Sequence, residues 1–542
     1  MKRSDFKNDK VYDIIVIGGG ITGAAVAYDA ASRGLSVALV ERDDFSSKTS
    51  AATSKLIHGG LRYLENLELL LVRESLRERR ILENIAPNFV YPIPNMIIIN
   101  NKEMEKKKTL LKIGMILYDI LSFDKTFTWD KNKKLPMHKS FSKNDTIKNE
   151  PELNSKGLKS SIVYYDCASI SPERLTLAFI KSAEAKGADI ANYMEVTGFK
   201  VSNKKVEGIE VVDKIKKRKI SIAGKITINC AGPWADRVLS LTGTKDHKEV
   251  LRRSEGIHII TKKIAEKHVI TSSTPKGRHI FIIPWRGHSL IGTTDKEYIG
   301  SPDDWKIKKE NILEFIDDVN ASYGEKVNIS YTDVLFAYGG LRPLVEDQTE
   351  DVYESSRKYE IFDNSVDGFD GLITVEGGKY TTSRGLAENV MKIACKKLGV
   401  SKKKIGTDKK YLFGSEIKDI EAFVKSCIEK YSDLPKDTID HLARIYGTEI
   451  DNMLSVINSD KSMAKALTPD GEILAQVVYA IKNEMAYKLT DILFRRTGLG
   501  TLGHPGKNAL NSIADLAGKL LGWNESRKKE EILEAEKLLK KP

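Results

Sequence analysis

The hydrophobic pattern changes period several times along this chain, and the first change is the most informative. VYDIIVI, residues 11–17, is a short β-branched run that predicts a buried strand. It leads directly into Gly18-Gly19-Gly20-Ile21-Thr22-Gly23. AAVAYDAASR then places small and apolar residues at helical spacing, with Gly34 set to end the helix. SVALVE follows as a second strand that finishes on Glu41. Later, KITINCAG predicts a strand ending at Cys230, Ala231 and Gly232, after which Pro233 and Trp234 open a helix. RHIFIIPW and HSLIGTTD predict further strands, and GGKYTTSRGLAENVMK predicts a glycine turn into a helix. Beyond the KKK run at 402–404 glycine thins, and DTIDHLARIYG and ILAQVVYAIKNEMAYKLTDILFRR predict a helical tail. The last segment, NESRKKEEILEAEKLLKKP, predicts an exposed charged helix, and no internal repeat is present.

The opening strand, glycines, helix and second strand form one physical unit. Gly18 permits the tight turn, Gly20 lets backbone approach a pyrophosphate, and Gly23 lets the helix pack on the sheet. The helix N-terminus, with Ile21 and Thr22, then faces the phosphates, and Glu41 is placed to accept from a ribose hydroxyl. Both FAD and NAD use such a unit, and the motif does not choose between them. The next stretch, SSKTSAATSKLIHGGLRYLE at 46–65, is polar, then glycine-rich, then helical. Such a stretch suits a path along an extended cofactor toward its reactive ring.

Composition narrows the class. The 542 residues are 41% hydrophobic and 30% charged, which excludes a disordered or fibrous chain and predicts several domains. Lys and Arg number 87 against 75 Asp and Glu, a net charge of +12. The basic residues sit in short dispersed runs (106–108, 131–134, 214–219, 402–404) broken by acids, the pattern of solvated faces. Without interleaved aromatics they form no nucleic-acid stripe, so no nucleic-acid partner is expected. The four cysteines, Cys167, Cys230, Cys395 and Cys427, have no metal-ligand spacing, so no metal is expected. Residues 1–10 carry charge without an apolar core, and no run reaches transmembrane length, so a reduced cytoplasmic setting is expected. KKKTLLKIGMILYDILSF, 106–123, fits either a membrane-contact helix or a core helix with a basic start, and its periodicity leaves both open.

The stretch DIIVIGGGITGAAVAYDAASRGLSVALVERDDFSSKTSAATSKLIHGGLRYLE closely resembles the opening of the FAD-dependent glycerol-3-phosphate dehydrogenases. The resemblance continues in family order through YYDCASISPERL, INCAGPWAD, SEGIHII, IPWRGHSLIGTTD, GGLRPLV, EGGKYTTSR and VVYAIKNEMAYKLTDILFRRTGLG, to about residue 500. Three blocks depart from the usual form. TSKLIHGG stands for STKLIHGG, RTGLG for RTRLG, and GGKYTTSR has Ser383 where the family carries an aromatic.

That resemblance implies an α/β fold, α+β overall. A Rossmann-like FAD-binding domain (about 11–100, 160–235 and 370–395) is interwoven with a β-sheet substrate domain (about 100–160 and 236–369). A helical cap domain is expected over 401–542. It implies oxidation of sn-glycerol 3-phosphate to dihydroxyacetone phosphate by hydride transfer from C2 to flavin N5. Electrons then pass to a quinone, with peripheral contact on the inner face of the cell membrane and a homodimeric assembly. FAD contacts are expected from Gly18, Gly20, Ile21, Thr22, Gly23, Glu41 and Arg42, then Thr53, Ser54, Lys55, Leu56, His58 and Gly59. Further contacts are expected from Val196, Cys230, Ala231, Gly232, Trp234, Arg342, Gly378, Lys379, Tyr380 and Thr381.

A phosphomonoester is close to a dianion at neutral pH, so its pocket needs fixed cations, and the planar fork of Arg suits it best. Carried over from the family motifs, Arg62 with Tyr63, Arg342, Arg357 and Lys379 are the expected substrate contacts, together with His258. Alcohol oxidation also needs a proton acceptor, and His58 and His258 both qualify. Arg342 and Lys379 complete the expected catalytic set. Cys230 is expected to pack rather than react. A related flavin oxidase that uses O2, or that acts on an amino acid or another hydroxy substrate, remains the alternative. An amino-acid site needs one Arg in an otherwise apolar pocket, which four cations do not resemble.

Overall fold

The computed structural model describes residues 1–6, 10–100, 102–153, 155–243, 251–274, 277–323, 327–344, 358–401 and 405–542. Two sheets and a helical C-terminal unit make up the fold. In the first sheet the strand Val11–Ile17 lies between Val37–Val40 and Arg218–Asn229, parallel to both. Asp189–Ala191 and Leu372–Gly377 extend the parallel run outward on the two sides. An antiparallel strand, Tyr359–Asp363, closes one edge, and the hairpin Met194–Ser202/Lys205–Asp213 pairs with the first half of Arg218–Asn229. The central strands are buried on both faces, which is why they read as unbroken apolar runs rather than alternating ones.

The helix Ile21–Ser32 packs on this sheet through small residues, with Ala24, Ala27 and Ala30 wholly buried. Close packing there depends on Gly23, where an added Cβ would lie 1.9 Å from the Gly18 carbonyl oxygen. Gly18 adopts φ +106°, a region that side chains rarely enter, and a Cβ there would meet the Cys230 carbonyl at 2.6 Å.

Among the described residues the second sheet has ten strands. Its centre runs from Arg253–Lys262 through His288–Gly292, His279–Trp285 and Val269–Ser273 to Val90–Ile99 and Ser160–Ser169, and Val334–Pro343 pairs with Arg253–Lys262. Three of its strands (Leu56–Ile57, Val90–Ile99 and Ser160–Ser169) fall in stretches that the sequence placed in the cofactor-binding unit. Tyr359–Asp363, placed with the substrate domain, pairs in the first sheet instead. Periodicity identifies a strand but not the sheet it joins, because pairing is decided by distant partners.

From Ile420 onward the chain is helical. The final helix, Glu525–Leu539, is not a purely solvated element, because Glu531, Ala535 and Leu539 are buried and Glu531 accepts from the Leu489 N–H. The C-terminal unit is tied to the first sheet by buried charge. Asp44, just past the Glu41 strand end, accepts from Arg495 Nε at 2.6 Å and from Arg496 Nη1 and Nη2 at 2.9 and 2.8 Å. These arginines belong to the FRRTGLG block, so that motif serves the junction between the two units.

The helix Lys102–Leu121 covers most of residues 106–123. Met115 and Tyr118 are buried on one face, while Leu110, Ile113, Ile116 and Ile120 are more than half exposed on the opposite one. Among the described residues no helix is long and apolar enough to cross a membrane.

Removing one partner from a buried ionic cluster strands the other charge, at a cost of about 3 kcal/mol. Arg496→Met is therefore expected to lower the urea midpoint substantially, whereas Lys529→Met, at an exposed position of the last helix, should leave it nearly unchanged.

Candidate active site

A cleft of about 570 Å³ runs from the carboxyl ends of the first sheet's parallel strands to the second sheet. Open α/β sheets bind ligands at this strand end. At its start the helix Ile21–Ser32 has Gly20 as N-cap, with no capping side chain. Ser50 Oγ accepts the Ile21 N–H at 2.9 Å. The positive end of the helix therefore faces the cleft and suits a pyrophosphate. A Cβ on Gly20 would meet only Ser50 Oγ, at 3.1 Å, so open space lies in front of this backbone.

Glu41 marks one end of the cleft. Its carboxylate accepts from the Gly19 N–H at 2.6 Å and the Asp43 N–H at 2.8 Å, while burial pushes its pKa above the ordinary carboxylate value. Lone pairs remain for a ribose hydroxyl. Arg42 lies over the Trp234 ring and pairs with Asp303 at 3.0 Å, so Arg42 and Trp234 form one wall. Val196, Cys230, Ala231 and Gly232 line the cleft nearby, and burial alone pushes the Cys230 thiol up to about 12, which leaves it an inert packing group.

At the far end the second sheet contributes. Arg342, on Val334–Pro343, donates from Nη2 to Thr293 Oγ1 at 2.7 Å and from Nη1 to Asp295 Oδ1 at 3.1 Å. A Cβ on Gly256 would sit 2.0 Å from Arg342 Nη2, so the guanidinium lies flat against bare backbone of the neighbouring strand. Lys379 donates to Ser75 Oγ at 2.6 Å, and its ammonium lies 4.6 Å from the centre of the Tyr63 ring, which Arg62 also approaches at 5.2 Å. Arg62, Tyr63, Arg342 and Lys379 thus share one cleft. Arg357, the fourth expected cation, lies outside the described residues.

Both expected histidines line the cleft. His58 is depressed to about 4, first by burial and then by Lys379, Arg62 and Arg79, with Asp166 acting in the opposite sense. His258 is fully buried, stacks on Tyr338 at 4.9 Å and shares a 2.9 Å hydrogen bond between Nε2 and Ser54 Oγ. Burial, then Arg342 and Lys55, push it well below the ordinary imidazole value. Its Nδ1 is buried with no protein partner, an unmet capacity beside the cleft. Both imidazoles are neutral at pH 7 and able to accept a proton.

Thr53, Ser54, Leu56, Gly378, Tyr380 and Thr381 also line the cleft, as expected. Three expected cofactor contacts do not. Gly23 is spent on helix–strand packing. The Lys55 ammonium turns away into a buried pair with Glu173 at 2.6 Å. The Gly59 N–H is taken by Tyr118 Oη and Asp166 Oδ1, at 3.1 and 3.3 Å. Spacing identifies a segment that passes a ligand, but alternate residues of an irregular segment point away from it.

The cleft also includes residues that the sequence reading did not single out, namely Lys48, Thr49, Ser50, His279, Phe281, Thr293 and Asp295. Thr293 and Asp295 stand in the GTTD motif, a polar cluster closing an apolar strand, and that contrast was the available signal. His279 and Phe281 alternate along a strand and carried none. Among the described residues no cluster of His, Cys, Asp and Glu could hold a metal ion.

A parallel-sheet dinucleotide unit that opens onto a sheet-borne cation pocket defines the class of FAD-dependent oxidoreductases, and that family matches residues 13–390. Residues 405–528 match the C-terminal domain of alpha-glycerophosphate oxidase. A glycerol-3-phosphate dehydrogenase of Synechocystis sp. is 36% identical over 95% of this chain and 94% of its own length. The aerobic glycerol-3-phosphate dehydrogenase of Staphylococcus saprophyticus is 32% identical over 97% and 95%. The X-ray structure of the Bacillus halodurans glycerol-3-phosphate dehydrogenase complexed with FAD superposes with a TM-score of 0.79 at 27% identity, covering 98% of this chain and 95% of that one. The chain belongs to the FAD-dependent glycerol-3-phosphate dehydrogenase family.

The cofactor is therefore FAD, and the residues fit it: a helix N-terminus with glycine at its N-cap, a carboxylate with spare lone pairs, and an unpartnered imidazole nitrogen deeper in the cleft. Glu41→Ala is expected to weaken FAD binding by about tenfold, the value of one charge-assisted hydrogen bond. Fluorescence titration of the deflavinated protein measures this, and an unchanged dissociation constant would contradict the ribose role.

Proposed function

We propose that this protein oxidises sn-glycerol 3-phosphate to dihydroxyacetone phosphate in the cleft between the two sheets. Bound FAD supplies the acceptor for the hydride that leaves the secondary carbon. The observation that carries the reading is the placement of Arg342, Arg62 and Lys379 around one cleft that also holds two neutral histidines. The cations fix the phosphate dianion and thereby set which carbon faces the cofactor. The neutral imidazoles of His58 and His258 are the groups fit to take the hydroxyl proton. Lys379 stabilises negative charge that develops on the substrate oxygen. The family resemblance read in the sequence is what supports a quinone as electron acceptor and a homodimer as the assembly.

A lipid surface accounts for the outer face of Lys102–Leu121. Leu110, Ile113, Ile116 and Ile120 project from it, and exposed Leu67, Leu70, Phe123 and Phe127 extend the apolar character onto flanking segments. Lys106 and Lys112 lie exposed on the same helix. Apolar side chains with lysines beside them match an anionic bilayer, where a quinone resides. Peripheral attachment on the cytoplasmic side of the membrane follows from this reading.

Two measurements test the proposal. Arg342→Ala is expected to lower kcat/KM for sn-glycerol 3-phosphate by about 30-fold or more, mainly through KM. Wild-type kinetics that are equal for glycerol and its phosphate would remove the phosphate pocket. Phosphatidylglycerol vesicles should sediment the wild type, and Ile113→Glu with Ile116→Glu should cut that binding at least tenfold, since each buried isoleucine contributes about 1.5–3 kcal/mol. A wild type that stays in the supernatant at low salt would overturn the bilayer reading.

A further inference from the structure

The turn that carries His58 and Arg62 into the cleft is held from behind by side chains that do not line it. Asp166, on the strand Ser160–Ser169, is buried and accepts from Arg79 Nη1 at 2.5 Å and from the Tyr118 hydroxyl at 2.8 Å. The same Asp166 Oδ1 and the Tyr118 hydroxyl oxygen share the Gly59 N–H. Gly59 can sit this close only because it lacks a side chain, since a Cβ would lie 2.4 Å from Tyr118 Oη and 2.3 Å from Leu76 Cδ2. Gly60 follows at φ +76° and turns the chain into the Leu61–Leu64 helical turn, which carries Arg62 and Tyr63. One backbone N–H therefore fixes a turn with a cleft-lining histidine on one side and a cleft-lining arginine on the other.

We infer that Tyr118, Asp166 and Arg79 are positioning residues for the reaction, holding the Gly59–Gly60 turn so that His58 and Arg62 keep their places in the cleft. The inference rests on the substrate reading above, because the reaction whose geometry is set is that one. Arg79 pairs with Asp166 in a buried setting, and the Asp166 carboxyl oxygens in turn accept both the phenol O–H and the amide N–H. The electrostatic consequence has a definite sign. Four charged groups act on His58: Lys379, Arg62 and Arg79 lower its proton affinity, and Asp166 raises it. Asp166 therefore limits the depression of an imidazole that lies, with burial and all four groups acting, at about 4. A misplaced turn moves reacting groups by a fraction of an ångström, which reduces turnover more than binding.

The test uses the full chain loaded with FAD and compares wild type with Tyr118→Phe and Asp166→Asn. Amide exchange of the peptide covering residues 57–63 requires no substrate. Tyr118→Phe, which deletes only the hydroxyl, is expected to speed it about five- to tenfold, the factor for one hydrogen bond, while FAD affinity stays unchanged. With sn-glycerol 3-phosphate the same variant should lose about tenfold in kcat with KM changed less than twofold. Asp166→Asn removes a group that raises His58, so the acid limb of its kcat/KM profile should move to lower pH. Unchanged exchange at 57–63, or wild-type kcat in a folded, fully flavinated Tyr118→Phe protein, overturns the positioning role even if Asp166→Asn fails to fold. A wild type inert toward sn-glycerol 3-phosphate counts instead against the substrate reading, and the exchange result then decides the role of Tyr118 on its own.

Discussion

The approach of Gly23 to the carbonyl oxygen of Gly18 is the contact on which the rest of the site depends. With 1.9 Å between that oxygen and any Cβ at position 23, only glycine lets the first helix settle onto the sheet. Settling places the helix N-terminus over the strand ends and aligns Gly20 with the cleft. It also brings Gly18 against Cys230, so two strands distant in sequence finish at the same level. A longer side chain at either glycine would lift the helix, and the pyrophosphate site would lose both its backbone donors and its favourable dipole.

Beyond that anchor, the cleft is a problem in placing positive charge. Cations in a low-dielectric cavity are costly unless each has a partner, and the described residues supply partners here. Arg342 is held by Thr293 and Asp295, and Lys379 by a serine hydroxyl and an aromatic ring. Burial first, and these cations after it, keep the two histidines neutral and so able to accept a proton. One arrangement therefore serves anion binding and proton acceptance together.

Much of this was legible in the chain, for physical reasons that differ from place to place. The strand–glycine–helix unit could be read because its elements follow one another within about thirty residues of sequence, although the contact of Gly18 with Cys230 could not. Arg62, Arg342 and Lys379 were legible because glycines beside them advertise close approach. Sheet membership of Val90–Ile99 and Ser160–Ser169 was not, since pairing depends on partners far along the chain. Nor was the cluster of Asp166, Tyr118 and Arg79, which come from a strand and two helices, the first two meeting at one amide and the third at Asp166. The inverted roles of Lys55 and Gly59 show the same limit at the scale of a single turn.

The central claim is that one cleft brings FAD and a phosphorylated secondary alcohol together, and an anaerobic absorbance titration tests it most directly. Adding sn-glycerol 3-phosphate to the purified flavin-loaded protein should bleach the flavin band in the visible, while glycerol and amino acids should leave it unchanged. A yellow protein whose band persists with sn-glycerol 3-phosphate but bleaches with an amino acid would contradict the account.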